Sequence, residues 1–162
     1  MSKIFEVNLM KYYSGNITKL KENEIFVFGS NPEGRHGAGS AKIAKDMYGA
    51  IYGNGRGIQG KSYALVTKNL TQNYLEKETN IIYKRYGERS VSLEQIKENI
   101  KDLYYYAENN KELNFLIAYK LDDKNLNGYS SLEIVEVFDS FIIPCNIVFH
   151  DSFRKYFKED EW

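Results

Sequence analysis

The chain has a single cysteine, no net charge and no apolar run long enough to span a bilayer. With only Cys145 present, an internal disulfide and any cysteine-based zinc site are excluded. Its place beside Pro144, ahead of an apolar run, reads as a core or strand-edge thiol rather than a nucleophile. The 22 Lys and Arg balance the 22 Asp and Glu, so no global field draws the protein to nucleic acid or to a membrane surface, and neither partner is expected. The lack of a signal-like or membrane-spanning segment makes the cytoplasm the expected compartment. Low-complexity tracts and internal repeats are missing, and no metal or cofactor is expected. What is present suffices for a core, with 43% hydrophobic and 15% aromatic residues in 162. The expected organisation is one domain over residues 1–157 followed by a charged tail at 158–162.

Glycine is unevenly spread. Nine of the twelve fall between residues 28 and 68, a density that signals close backbone approach, most often to phosphate. Gly55, Gly60, Lys61 and Ser62 satisfy the Walker A spacing, and Gly55, Gly57 and Gly60 satisfy the dinucleotide-binding GxGxxG. Both fingerprints require a helix to leave the loop, because phosphate sits on the free N–H groups and positive dipole end of that helix. Residues 62–66, Ser-Tyr-Ala-Leu-Val, lack a 3.6-residue apolar period and read as a buried strand, which opposes both. Asp122 and Asp123, after the apolar run from Phe115, are a Walker B candidate that Lys120 interrupts.

The first loop has the context the second lacks. Residues 24–28 read as a core strand broken by Gly29, Ser30, Asn31 and Pro32. Residues 40–48 read as a helix with Ile43, Ala44 and Met47 on its inner face and Gly49 as its stop. Gly37, Ala38 and Gly39 then stand at a helix N-terminus, an anion site by construction. Elsewhere, residues 4–9, 114–119 and 145–150 read as strands. Ser92 to Gln95 and Ser130 to Glu133 read as capping boxes for helices ending near Asn109 and Phe141, the first with Ile96, Ile100, Leu103 and Ala107 inward. Tyr104, Tyr105 and Tyr106 cannot share one helix face, so at least one should be exposed. Residues 71–89 read as a long excursion with a partial helix. Alternating strands and helices imply a layered α/β sheet with ligand loops at the strand C-terminal ends.

The order of motifs resembles the macro domain, the ADP-ribose-binding family. The resemblance rests on Gly15-Asn16-Ile17-Thr18, on Phe28-Gly29-Ser30-Asn31 followed by Gly37-Ala38-Gly39, and on Asn127-Gly128-Tyr129-Ser130. More narrowly, it is similar to a macro-like branch of bacterial and phage proteins. It implies a three-layer α/β/α fold with a central mixed sheet. By the same resemblance Asn16, with Ile17 beside it, meets the adenine amine through its amide oxygen. Gly29, Ser30 and Asn31 border the distal ribose, Gly37, Ala38 and Gly39 hold the diphosphate from one side, and Asn127, Gly128 and Tyr129 close it from the other. Phe149 and Phe153 are candidates to stack on adenine, their other reading being core packing, and Gly57, Gln59 and Gly60, with Lys61, border the distal ribose or a phosphate beyond it.

The family's first asparagine is Phe28 here, and Ala41 stands near the position of its loop acid. Arg35 is then expected to pair with a phosphate, and His36, whose type titrates near neutrality, to move a proton. Asn31 is expected to orient the ribose in catalysis; its other reading is a turn-former. The implied function is binding of ADP-ribose or a related NAD-derived nucleotide, with hydrolysis of a substituent on the distal ribose, such as a 1″-phosphate. The alternatives are a non-catalytic nucleotide sink or sensor and, third, a P-loop phosphotransferase.

Overall fold

The computed structural model describes residues 10–121 and 127–157; the expected strand at 4–9, the acidic step Asp122 and Asp123, and the tail at 158–162 lie outside the described residues. Among the described residues eight strands and three α-helices follow one another. They are β1 (Lys11–Tyr13), β2 (Glu24–Ser30), α1 (Gly39–Met47), β3 (Gly57–Gln59), β4 (Ser62–Val66), β5 (Tyr74–Glu76), β6 (Ile81–Tyr83), α2 (Leu93–Glu108), β7 (Asn114–Ile117), α3 (Ser131–Phe138) and β8 (Ile147–His150). Among the described residues the main sheet runs β1-β8-β7-β2-β4-β3. Its strands pair in parallel except the edge strand β3, which is antiparallel to β4.

Helices cover both faces. Ile25 and Val27 of β2 pack with the inner faces of α2 and α3, whereas Phe26 and Phe28 pack with α1. A strand buried on both faces must be apolar at every position, which is why Ile-Phe-Val-Phe carries no alternation. It runs two residues further than expected, because Gly29 and Ser30 stay in register with Leu65 and Val66.

The helix caps follow the sequence closely. Ser130 and Glu133 form the full reciprocal box on α3. On α2, Ser92 accepts from the Gln95 N–H, but the Gln95 side chain donates to Asn99 instead of returning to the cap. Ile96, Ile100, Leu103 and Ala107 are buried as expected, and of the three tyrosines Tyr105 is 74% exposed.

Three expectations change. The inner face of α1 is Ala41 and Ala44, with Ile43 and Met47 exposed, because Phe26, Phe28 and Tyr48 already fill the layer and only small residues fit beneath the helix. Residues 71–89 form no helix; they make the antiparallel hairpin β5–β6, pinned by Asn69, whose side-chain amide donates to the Thr71, Tyr83 and Arg85 carbonyls. Cys145 is exposed, since β8 begins only at Ile147. As expected, the second glycine loop leads into β4, buried along its whole length, so neither phosphate fingerprint has the helix it requires. No helix among the described residues is long and apolar enough to cross a membrane.

Candidate functional site

The glycine-rich loops are packed chiefly against each other. A Cβ placed on Gly55 would lie 2.1 Å from the Asn31 carbonyl oxygen, and one on Gly34 would lie 2.4 Å from the Asn54 nitrogen. The Gly53 N–H donates to the Gly34 carbonyl at 2.9 Å, and Gly60 lies against Gly49. Much of the glycine density is therefore answered by the chain's own backbone. Gly39, like Gly37, Gly53 and Gly57, is not packed this way: it has φ +56°, and a Cβ there would meet no atom within 4 Å.

Gly39 opens α1 and lines a cleft of about 460 Å³ across the C-terminal ends of β4, β2 and β7. The strand on each side of β2 is reached by a crossover on the opposite face of the sheet, and such a switch point leaves a crevice at the carboxyl ends. Gly29, Ser30, Asn31, Arg35 and Ala38 to Ala41 supply the β2–α1 wall. Thr67, Lys68 and Leu70 follow β4, Ala118, Tyr119 and Lys120 follow β7, and Asn127 precedes α3.

The electrostatics of the cleft have one sign. Among the described lining residues Arg35, Lys68 and Lys120 are cationic, and no carboxylate, imidazole or thiol is present. The first turn of α1 carries no acidic residue, and Ala38 provides no side-chain cap. The first N–H accepted within the helix is that of Lys42, by the Ala38 carbonyl, so the Gly39, Ser40 and Ala41 N–H groups fall outside the helical ladder at its positive end. Burial pushes the Tyr119 phenol up to about 12, which keeps it neutral.

Seven of the expected residues meet in this cleft: Gly29, Ser30, Asn31, Arg35, Ala38, Gly39 and Asn127. Within it Asn31 is a turn clasp, its Oδ1 accepting the Arg35 N–H at 3.0 Å and its Nδ2 donating to the Arg35 carbonyl. Gly37 is exposed beside the cleft, with its N–H donated to Arg35.

The other expected residues are placed elsewhere. His36 is fully buried behind the loop; its Nε2 donates to the Asn54 carbonyl at 2.9 Å and its ring meets the edge of Phe28, so it ties the two loops together and does not reach the cleft. Phe149 is fully buried among Phe138, Phe153 and Phe157, where no base can stack on it. The Tyr129 hydroxyl donates to the Val91 carbonyl, and Gly128 lies against Glu88, so both brace the loop from behind. Gln59 is spent on Ile51 and Asn54, Gly57 opens β3 opposite Ala64, Gly60 lies in the β3–β4 turn, and Lys61 donates to the Lys21 carbonyl. Asn16 and Ile17 sit outside the wall, with the Asn16 Oδ1 accepting from Lys120.

Thr67, Lys68, Tyr119 and Lys120 were not among the expected residues. They lie one to three residues past the ends of β4 and β7, and β7 stops two residues short of the expected strand 114–119, so the signal was position past a strand end rather than any motif. No protein-family model and no curated protein matches the chain.

Proposed function

We propose that the cleft binds ADP-ribose or a related NAD-derived nucleotide, with the diphosphate on the N-terminus of α1. The observation that carries this reading is the uncapped helix start at Gly39, Ser40 and Ala41, facing a cleft lined by three cations and no described carboxylate. The volume suits a small nucleotide. The resemblance of the Gly-Ser-Asn and Gly-Ala-Gly steps to the macro domain supports the same ligand class. The lining, without carboxylate, imidazole or thiol, favours the sink or sensor reading over the hydrolase, because proton transfer near neutral pH needs such a group.

Calorimetric titration with ADP-ribose should show binding that is indifferent to chelator and weakens as salt rises. Arg35→Ala and Lys68→Ala should each weaken it about tenfold, the scale of one charge-assisted hydrogen bond. Incubation with ADP-ribose 1″-phosphate should release no phosphate. Absence of binding would discard the reading, and phosphate release that survives repurification would restore the hydrolase.

A further inference from the structure

We propose that β3 is the interface of a two-fold dimer, in which it pairs antiparallel with β3 of a second copy of this chain. The inference is independent of the nucleotide reading.

β3 ends the main sheet, and among the described residues no strand pairs with its outer side. The direction of its backbone groups follows from its neighbour. The Phe26 N–H donates to the Lys61 carbonyl, so along β4 the odd-numbered residues turn their backbone groups towards β2 and the even-numbered ones towards β3. The β3–β4 hydrogen bonds therefore fall at Gln59–Ser62 and Gly57–Ala64, and Ile58, opposite Tyr63, aims its N–H and C=O at the free edge. Such an edge is commonly guarded by charged side chains. Here the cations that flank the strand in sequence are engaged within the chain: Arg56 is held by Glu76 and Asn99, and Lys61 donates to the Lys21 carbonyl.

Apolar surface adjoins the same edge. Ile58 is exposed, and so are Met47 at the end of α1 and Ile51 and Tyr52 just beyond it. This corner is pinned beside β3, because the Ile51 N–H donates to Gln59 Oε1 at 2.8 Å and Gly49 lies against Gly60.

The edge is too short to hold a lone extended peptide, which would gain only the two hydrogen bonds that Ile58 offers against the cost of ordering itself. A second copy makes the same two bonds and arrives already folded. With the axis perpendicular to the sheet and passing beside Ile58, both α1 helices lie on one face, and their exposed apolar ends approach each other. Edge, side chains and rim offer on the order of 600 Å² per copy, or ~1,200 Å² for the pair, the lower limit of a standard interface. The balanced net charge sets up no global repulsion between copies.

Sedimentation equilibrium of the wild type from about 1 μM to 1 mM should show a monomer–dimer equilibrium in the micromolar range. Ile58→Lys and Ile58→Glu each set like charges opposite one another at the axis and should weaken the dimer at least about tenfold, whereas an equal mixture of the two should recover it. Circular dichroism should match the wild type for both, since the side chain is exposed and its backbone groups are not used in the sheet. Met47→Glu, outside the ladder, should weaken the dimer as well, and Tyr105→Glu on the exposed side of α2 should leave it unchanged. A wild type monomeric throughout this range overturns the proposal, as does a dimer that Ile58→Lys or Met47→Glu leaves intact. A mixture that stays monomeric removes Ile58 from the axis and overturns it too, and dissociation by Tyr105→Glu would place the contact on α2 instead.

Discussion

Glu76→Ala should lower stability by about 3–5 kcal/mol, the usual cost of stranding one member of a buried ion pair. Glu76 is 4% exposed at the end of β5, and its two carboxylate oxygens accept from Arg56 Nη2 at 2.9 Å and Nε at 3.1 Å. Thr79 and Tyr83 donate to the same carboxylate, and Arg56 Nη1 donates to Asn99 Oδ1 at 2.8 Å. Asn99 in turn donates to the carbonyl of Val66, the last residue of β4 before the cleft. One ion pair thus joins the β5–β6 hairpin, the second glycine loop, α2 and the cleft floor.

Removal of the carboxylate leaves a guanidinium with little access to water, and the melting temperature should fall by on the order of 10 °C. Replacing both partners together, Arg56→Met with Glu76→Met, should cost less than Glu76→Ala alone, because no charge is then left buried unpaired. A double variant less stable than the single one would show that the pair contributes net stability.

Acid should remove the same stabilisation. Burial alone would raise the Glu76 carboxyl, but the hydrogen bonds from Arg56, Thr79 and Tyr83 and the guanidinium charge outweigh it and hold the carboxyl below its ordinary value. A depressed folded pKa contributes stability that is full above the unfolded value, about 4.3 for glutamate, and lost as pH falls through the folded one. The stability gap between wild type and Glu76→Gln should therefore be constant above about pH 5 and shrink below pH 4. A gap that persists unchanged in acid would refute the ionised pair.

Gly39→Leu should abolish ADP-ribose binding, weakening it at least about a hundredfold, or some 2.7 kcal/mol. The glycine is needed twice over. Its φ of +56° costs any other residue about 1–2 kcal/mol, and its bare Cα lets an anion reach the N–H groups that open α1. A side chain there points into open space rather than into the protein, so the fold should survive while the helix start is screened. Far-ultraviolet circular dichroism and melting within a few degrees of wild type would confirm folding, and Gly39→Ala should fall between the two. Unchanged affinity in Gly39→Leu would remove the α1 N-terminus from the site.

Much of this architecture was legible from short-range signals. Apolar runs without alternation marked β2, β4 and β7 as doubly buried strands. Ser92 and Ser130 marked the starts of α2 and α3, and the missing helical period after Lys61 argued against a P-loop. The hairpin at 74–83 was not legible, since its polar, tyrosine-bearing text is held by Asn69 and Arg56 from outside the segment.

The site divides in the same way. Gly39 and Gly55 look alike in sequence, each beside a second glycine in a loop, yet a Cβ at one meets nothing within 4 Å and at the other lies 2.1 Å from Asn31. His36 reads as a ligand-loop histidine until Asn54, eighteen residues on, claims its ring nitrogen. Lys120 reads as an interruption in an apolar run until Asn16, 104 residues away, receives its ammonium. Apolar runs and caps are encoded within a few residues, so the sequence alone determined β2, β4, β7 and β8 and the starts of the three helices. Which glycine stays open, which histidine is enclosed and which lysines face the cleft depend on surfaces brought together from distant parts of the chain, and only the tertiary structure decided them.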